Sequence, residues 1–196
     1  PGEMAQLEKV LQPTIGLFTN IGTAHDHGFL SQLQKTQEKA RLFKNCKQIY
    51  YCLDHLSIHQ VLQKQYQETA ELITWSWQTN TATYRVQKRL LPTSTQTELL
   101  VQTQQQQHTL LVPFQDDISL ENVVHCIILL LHKGFDLTIM QTGLTKLSKV
   151  PMRLTVKQGM HNCQIIDDTY NNDLVGLQGA LDFMVQQKQA LKKTVV

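Results

Sequence analysis

The sequence predicts an α/β domain: a mostly parallel sheet flanked by helices and extended by an antiparallel β meander. Three observations predict it. First, apolar strand-like runs alternate with amphipathic helical patterns at Thr14–Asn20, Ser31–Phe43, Gln48–Leu53 and Leu56–Tyr66. Such alternation implies parallel strands joined by right-handed crossovers. Second, Leu72–Trp77, Ala82–Lys88, Glu98–Thr103 and Thr109–Phe114 are short β-rich runs divided by polar turns, the pattern of an antiparallel meander. Third, 41 % of the 196 residues are apolar, enough for one substantial core.

The individual elements have local reasons. Glu3–Leu11 is a short amphipathic helix stopped by Pro13. Thr14–Asn20 (TIGLFTN) is a compact apolar run that turns polar at its end, as a buried strand does. Within Ser31–Phe43, Leu33, Thr36, Ala40 and Phe43 fall near one helix face. Gln102–Gln107 is Gln-rich and reads as the exposed end of a hairpin without chemistry. Ser119–Leu131 is a strongly apolar helix and Leu137–Leu147 a second. Arg153–Lys157 and Cys163–Asp167 read as strands, and Leu174–Gln187 as a long helix. Thr194–Val196 opens another apolar strand. One domain is therefore expected over residues 1–193, with 194–196 starting the next. A chain that begins Pro1-Gly2 and stops on a new strand is expected to be a piece of a longer protein.

Composition narrows the function classes. There are 18 basic and 16 acidic residues, net +2, scattered along the chain without a basic stripe. This argues against nucleic acid and membrane surfaces as partners. The longest apolar run, Val123–Leu131, is broken by His125 and is too short for a bilayer, so no membrane insertion is expected. Cys46, Cys52, Cys126 and Cys163 form no C-x-x-C pair, which reads as a reducing, cytoplasmic setting rather than a disulfide framework or zinc site.

Three segments carry groups capable of chemistry. NIGTAHDHGF, Asn20–Phe29, directly follows a buried strand. Ligands of open α/β sheets bind at the carboxyl ends of strands, so His25, Asp26 and His27 stand where a metal or phosphate would sit. A polar loop with solvated histidines fits the same residues. QEKARLF, Gln37–Phe43, puts Lys39 on a helix beside Glu38 and Arg41; a solvated helix face is the plain reading. IIDDTYNND, Ile165–Asp173, ends a strand in two carboxylates, then offers a tyrosine and two asparagines before a helix. Those residues suit ordinary N-caps and equally suit ribose, phosphate or magnesium contacts. Neither G-x-x-x-x-G-K-[ST] nor G-x-G-x-x-G occurs. Gly176 and Gly179 lie inside a helical pattern, where packing is their reading.

The order of motifs is more telling than any one of them. PGEM, TNIGTAHDHGF, EKARLF, SLENVVHC, VPMRL and IIDDTYNND follow one another as in the central domain of the Mur ligases, which the chain resembles nearly end to end. The resemblance is nearest to the branch that adds D-alanyl-D-alanine, and the first segment resembles the subgroup fused to an alanine racemase. It implies a reaction in which ATP phosphorylates the terminal carboxylate of UDP-N-acetylmuramoyl-tripeptide. The amine of D-alanyl-D-alanine attacks the acyl phosphate, and the tetrahedral intermediate collapses to an amide and phosphate. Mg2+ would neutralise phosphate charge.

Residue roles follow from the resemblance position by position. His25 matches the family's metal-ligand histidine. Lys39 matches the lysine that the family carbamylates, which replaces an ammonium by anionic oxygens that a metal accepts. Arg153 matches an arginine near the ATP phosphates. Asn122 matches the last Asn of an adenine-side H-N-x-x-N motif. Asp168, Tyr170 and Asn171 match the D-x-Y-N loop beside the nucleotide. The chain departs from the pattern at four places. Ile118 and Ser119 replace His-Asn, His27 replaces an acid, Asp173 replaces the final Asn of the nucleotide loop, and Met152 replaces the Gly before Arg153. The resemblance also puts a phosphate-binding loop and a metal-binding glutamate ahead of Pro1 and a further domain after Val196, so this chain alone is expected to show no ligase activity. Two other readings remain: another Mur or folylpolyglutamate-synthetase-like ligase, and a non-catalytic domain that retains the fold.

Overall fold

The computed structural model describes residues 2–22, 29–91, 95–148, 155–169 and 174–186. After helix α1 (Glu3–Leu11), three parallel strands are laid down in sequence: β1 (Ile15–Phe18), β2 (Gln48–Cys52) and β3 (Glu71–Ser76). Helix α2 (Gln32–Ala40), extended by a 3-10 turn at Arg41–Phe43, links β1 to β2, and α3 (Leu56–Tyr66) links β2 to β3. The sheet continues through β4 (Tyr84–Leu90), β5 (Thr97–Gln102) and β6 (Gln107–Val112), in the order β1-β2-β3-β4-β5-β6. Helices α4 (Asp117–His132) and α5 (Leu137–Leu144) follow. A separate antiparallel hairpin, β7 (Thr155–Gln158) and β8 (Gln164–Asp167), precedes helix α6 (Leu174–Gln186).

Strand β2 shows how the layers form. Ile49 and Tyr51 point to one face, where they join Phe18, Ala40, Phe43, Ile58 and Leu62 under α2 and α3. Tyr50 and Cys52 point to the other, where they join Ile73, Trp75, Val86 and Leu99 under Leu120, Val124, Ile127 and Ile128 of α4. A strand covered on both faces must be apolar throughout, which is why QIYYC shows no alternation. Burial pushes the Cys46 and Cys52 thiols up to about 11 and about 12, as expected of cysteines that act as small apolar side chains.

The predicted meander has one strand fewer than the sequence suggests. The run at Leu72–Trp77 becomes β3 and belongs to the parallel half; only β4, β5 and β6 pair antiparallel. The β3–β4 pair is parallel, with only Trp75↔Tyr84 and Ser76↔Arg85 in register. Parallel neighbours ordinarily need a crossover of a dozen residues or more. Residues 77–83 suffice because β4 starts beside the end of β3 and runs on beyond it. Thr74 and Thr83 pin this step, each backbone N–H donating to the other's Oγ1 at 3.2 and 3.0 Å. The meander therefore overhangs the carboxyl edge of the parallel strands.

Helix α4 starts at the far end of that overhang and returns. Asp116 caps it by accepting from Ser119 N at 2.8 Å, and Lys88 of β4 pairs with Asp117 in its first turn. At its other end His132 lies 3.4 Å from Glu71, and Lys133 reaches Gln48, both at the amino edge of the strands. Sixteen residues of helix cover about 24 Å, enough for this span. Gly134, at φ +73°, then ends the helix in a conformation that disfavours any side chain. Helix α6 meets the start of α4 closely: a Cβ at Gly179 would lie 3.3 Å from Ile118 Cδ1, which gives this glycine the packing role its helical setting suggests.

Gly16 is the tightest point of the β1 layer. A Cβ there would come within 2.6 Å of the Phe43 ring. Gly16→Ala is expected to destabilise the chain by about 1–3 kcal/mol through overpacking, read as a lower urea midpoint with unchanged slope. Trimming the ring in the double variant with Phe43→Leu should recover part of that loss.

Candidate functional site

The carboxyl edge of the parallel strands is tied together by polar side chains. Asp54, just after β2, accepts from Ser76 Oγ at 2.5 Å and from Trp77 N at 2.8 Å, joining the ends of β2 and β3. His55 is the N-cap of α3, yet its side chain makes no cap bond. It reaches across to α4 instead, with Nε2 2.9 Å from Glu121 Oε1. The same Glu121 oxygen accepts from Asn20 Nδ2 at 3.5 Å, just past the end of β1. One helical turn on, the fully buried His125 accepts on Nδ1 from Trp75 Nε1 at 3.1 Å. Helix α4 thereby contacts the ends of all three strands.

These contacts fix protonation states. An indole N–H can only donate, so His125 Nδ1 is the acceptor and Nε2 carries the proton. Burial drives the His125 pKa down to about 4, with Glu121 and the Thr19 backbone opposing and His55 assisting, so the ring is neutral at pH 7. For His55, the hydrogen bond it donates to the Glu121 carboxylate outweighs burial and raises the pKa. For Glu121, burial raises the pKa, but His55, His125 and Asn20 together lower it below the usual carboxylate value. His55 and Glu121 form a half-buried pair, each shifted toward its charged form, beside a neutral histidine.

The residues singled out from the sequence fall into two groups. His25, Arg153, Tyr170 and Asn171 lie outside the described residues, as do His27, Met152, Asp173 and 194–196. The others stand on three separate elements. Asn122 is exposed on the second turn of α4, and Asp168 is half-buried just beyond β8. Its neighbour Asp167 accepts from Lys157 Nζ at 2.5 Å and Thr169 Oγ1 at 2.7 Å. Lys39 is exposed on α2, whereas Lys35, one turn earlier on the same stripe, is 5 % exposed and donates to the Gly22 carbonyl at 2.6 Å. Glu38, also buried, accepts from Gly2 N at 2.5 Å and from Arg41 at 2.9 Å. Among the described residues no three His, Cys, Asp or Glu side chains gather as a metal site.

Beneath the overhanging meander lies an open cavity of about 790 Å³, lined in part by Trp77, Lys88, Arg89, Glu98, Asp117 and Glu121. It adjoins the strand ends through Trp77 and Glu121. A small polar ligand fits a space of this size.

Comparison with known proteins follows from this architecture. The family description "Mur ligase middle domain" matches residues 1–130. The chain belongs to the Mur ligase middle-domain family. A UDP-N-acetylmuramoyl-tripeptide--D-alanyl-D-alanine ligase of Haemophilus influenzae is 24 % identical, over 93 % of this chain and 39 % of its own length. The crystal structure of MurF from Acinetobacter baumannii superposes with TM-score 0.76 at 19 % identity, covering 94 % of this chain and 40 % of that one. MurF ligase from Thermotoga maritima in complex with ADP gives 0.74 at 19 % identity, over 94 % and 42 %. An FPGS–AMPPCP complex gives 0.62 at 15 % identity, over 89 % and 43 %. The chain thus spans about two fifths of the length of these relatives, and its Mur ligase fold extends well past the family match.

Sequence reasoning passed over Asn20, Lys35, Asp54, His55, Glu121 and His125 as functional groups. Two signals were present. Glu121 and His125 are four apart in an otherwise apolar helix, hence on one face. Asp54 and His55 follow a strand as directly as the His25 loop does.

Two predictions follow from these burials. Above its unfolded pKa near 6.5, His125 binds no proton in either state. Between about 6.5 and 4 the unfolded chain takes up a proton that the folded chain refuses, so stability falls as pH drops. The stability difference between the wild type and His125→Gln should shrink by about 3 kcal/mol from pH 7 to pH 4 in urea titrations. His55 acts oppositely, its contribution being lost as pH rises through its raised pKa. For the lysines, Lys35→Ala should cost about 2 kcal/mol by removing a buried hydrogen-bonded cation, while Lys39→Ala should shift stability by less than about 0.5 kcal/mol.

Proposed function

We propose that this chain is the central, nucleotide-handling part of an ATP-dependent peptide ligase. The ligase adds D-alanyl-D-alanine to UDP-N-acetylmuramoyl-tripeptide in cytoplasmic synthesis of peptidoglycan precursors. The motif order supports this reading, as does the curated relative named for that reaction. Among the described residues no helix is long and apolar enough to cross a membrane.

One structural observation carries the reading: how α2 is held. On one side Glu38 grips Gly2 and Met4, whose N–H groups lie 2.5 and 3.4 Å from Oε1. On the other side Lys35 grips Gly22, the last described residue before the His25 loop. Helix α2 is thus clamped between the two segments beside which the resemblance puts metal ligands. Lys39 follows Glu38 directly. In this proposal Lys39 is carbamylated and, with His25, completes a Mg2+ site. Magnesium, when bound, lowers the cost of bringing a carboxylate against a triphosphate.

The other roles concern positioning. In this proposal Asn122 serves the adenine side, Asp168, Tyr170 and Asn171 serve the nucleotide, and Arg153 serves the ATP phosphates. The Lys35 ammonium, fixed by burial, adds a positive charge at the start of the metal loop, where the transferred phosphoryl group gathers negative charge. The carboxylate of the tripeptide attacks the γ-phosphorus of ATP, ADP leaves, and the dipeptide amine then displaces phosphate from the acyl phosphate.

A second reading has its own observation. Ile118 stands where the family pattern has the adenine-side histidine, and here it packs against Gly179 of α6. A non-catalytic domain retaining the fold would tolerate that exchange. The full-length parent protein separates the two. The ligase reading expects phosphate release from ATP only when UDP-N-acetylmuramoyl-tripeptide and D-alanyl-D-alanine are both present. It also expects a loss of about 100-fold or more in kcat for Lys39→Ala. Absence of turnover with any Mur substrate establishes the non-catalytic reading, and turnover indifferent to the dipeptide overturns the proposed substrate.

A further inference from the structure

We infer that Glu121 is a positioning residue, a latch that holds the start of the His25 loop against the nucleotide-side helix. Four observations carry it. Glu121 Oε1 accepts from Asn20, the second residue after β1, at 3.5 Å and lies 2.9 Å from His55 at the start of α3. The His55 side chain makes no cap bond to its own helix, and its ring reaches α4 instead. Glu121 directly precedes Asn122, so the latch acts on the turn of α4 that carries the adenine-side residue. Glu121 also lines the cavity under the meander, so the latch stands at its edge.

The placement is more than a way of filling space. An i,i+4 pair, Glu121 and His125, is the polar interruption of a helix face otherwise buried by Leu120, Val124, Ile127 and Ile128. His125 anchors that face to Trp75 through a neutral bond; the Glu121 carboxylate anchors it to α3 at 2.9 Å and reaches Asn20, past the end of β1, at 3.5 Å. Charge-assisted hydrogen bonds are the stronger and more directional kind. An apolar residue at 121 would pack as well but would leave the loop after β1 without a tether. Ile118 and Ser119, by contrast, place no family-pattern polar pair in the first turn. In this chain the link between the start of the His25 loop and α4 runs through Asn20 and Glu121, with His55 bracing the carboxylate from α3.

The inference rests on the proposed ligase function only for its kinetic consequence, and the test has two arms. In the 196-residue chain, hydrogen exchange is compared for the wild type, Glu121→Ala and Glu121→Gln. Glu121→Ala should speed exchange of segment 19–22 about 10-fold, the loss of a charged hydrogen bond, while Leu99–Val101 and Leu110–Val112 keep wild-type rates. Glu121→Gln, which keeps an acceptor, should stay within about threefold. Unchanged exchange at 19–22, or equal acceleration everywhere, overturns the latch. In the full-length protein, Glu121→Ala should lower kcat about 10-fold with KM for ATP within about threefold, and Glu121→Gln should recover most of it. A KM effect without a kcat effect overturns the positioning role. Absence of ligase activity in the wild type would instead count against the proposed function and leave the exchange result to decide the latch.

Discussion

The offset between β3 and β4 is the constraint on which the rest of the structure depends. Two residue pairs join them, so the sheet changes from parallel to antiparallel while stepping outward past the strand ends. Had β4 paired along the whole of β3, the meander would lie flush with the parallel strands, and α4 would begin at their carboxyl edge. Because the meander overhangs, α4 begins beyond that edge and passes it only at its second turn. The step therefore decides that Glu121 and His125, rather than the first residues of the helix, face Asn20, His55 and Trp75. The cavity between overhang and helix has the same origin.

The cost of this arrangement falls on the buried polar groups. A fully buried histidine in an apolar helix is tolerable only neutral and bonded, and the donor from Trp75 meets that requirement on one side of the ring. A carboxylate at half-burial is tolerable because His55 lies against it. Replacing both by leucine would leave the buried Trp75 indole N–H and His55 without their partners, and apolar contacts do not choose which strand end lies opposite. Polar groups at this edge give α4 a defined relation to the loops that leave the sheet.

How much of this was legible in the sequence depends on whether the controlling interaction is local. Glu3–Leu11 and Leu56–Tyr66 appear with the bounds their periodicity implies, because a helix face and a proline stop are properties of neighbours in sequence. Strand Glu71–Ser76 was equally visible as a strand, but its partner was not. Parallel or antiparallel pairing is decided by where the next strand starts, and the exchange between Thr74 and Thr83 that sets it involves two threonines of no special spacing. Of the candidate site, the resemblance supplied Lys39, Asn122 and Asp168, which are positions on a pattern. It could not supply Lys35 or Glu121, whose meaning comes from burial and from a partner far along the chain.

The two lysines of α2 show what burial adds to a pattern. They sit four residues apart on one stripe, and the motif singles out the later one. The structure buries the earlier one against Gly22 and leaves Lys39 exposed. These assignments are complementary. An exposed amine has free access to dissolved CO2, which a carbamate requires, while a buried and bonded ammonium keeps its position and cannot be modified without losing its hydrogen bond. A stripe carrying both can hold the loop with one lysine and offer the other for chemistry. Glu38 lies between them in sequence on a neighbouring face, and its bond to Gly2 N fixes the rotation of the helix about its own axis. That rotation, and not the identity of Lys39 alone, determines which lysine meets the loop and which remains available.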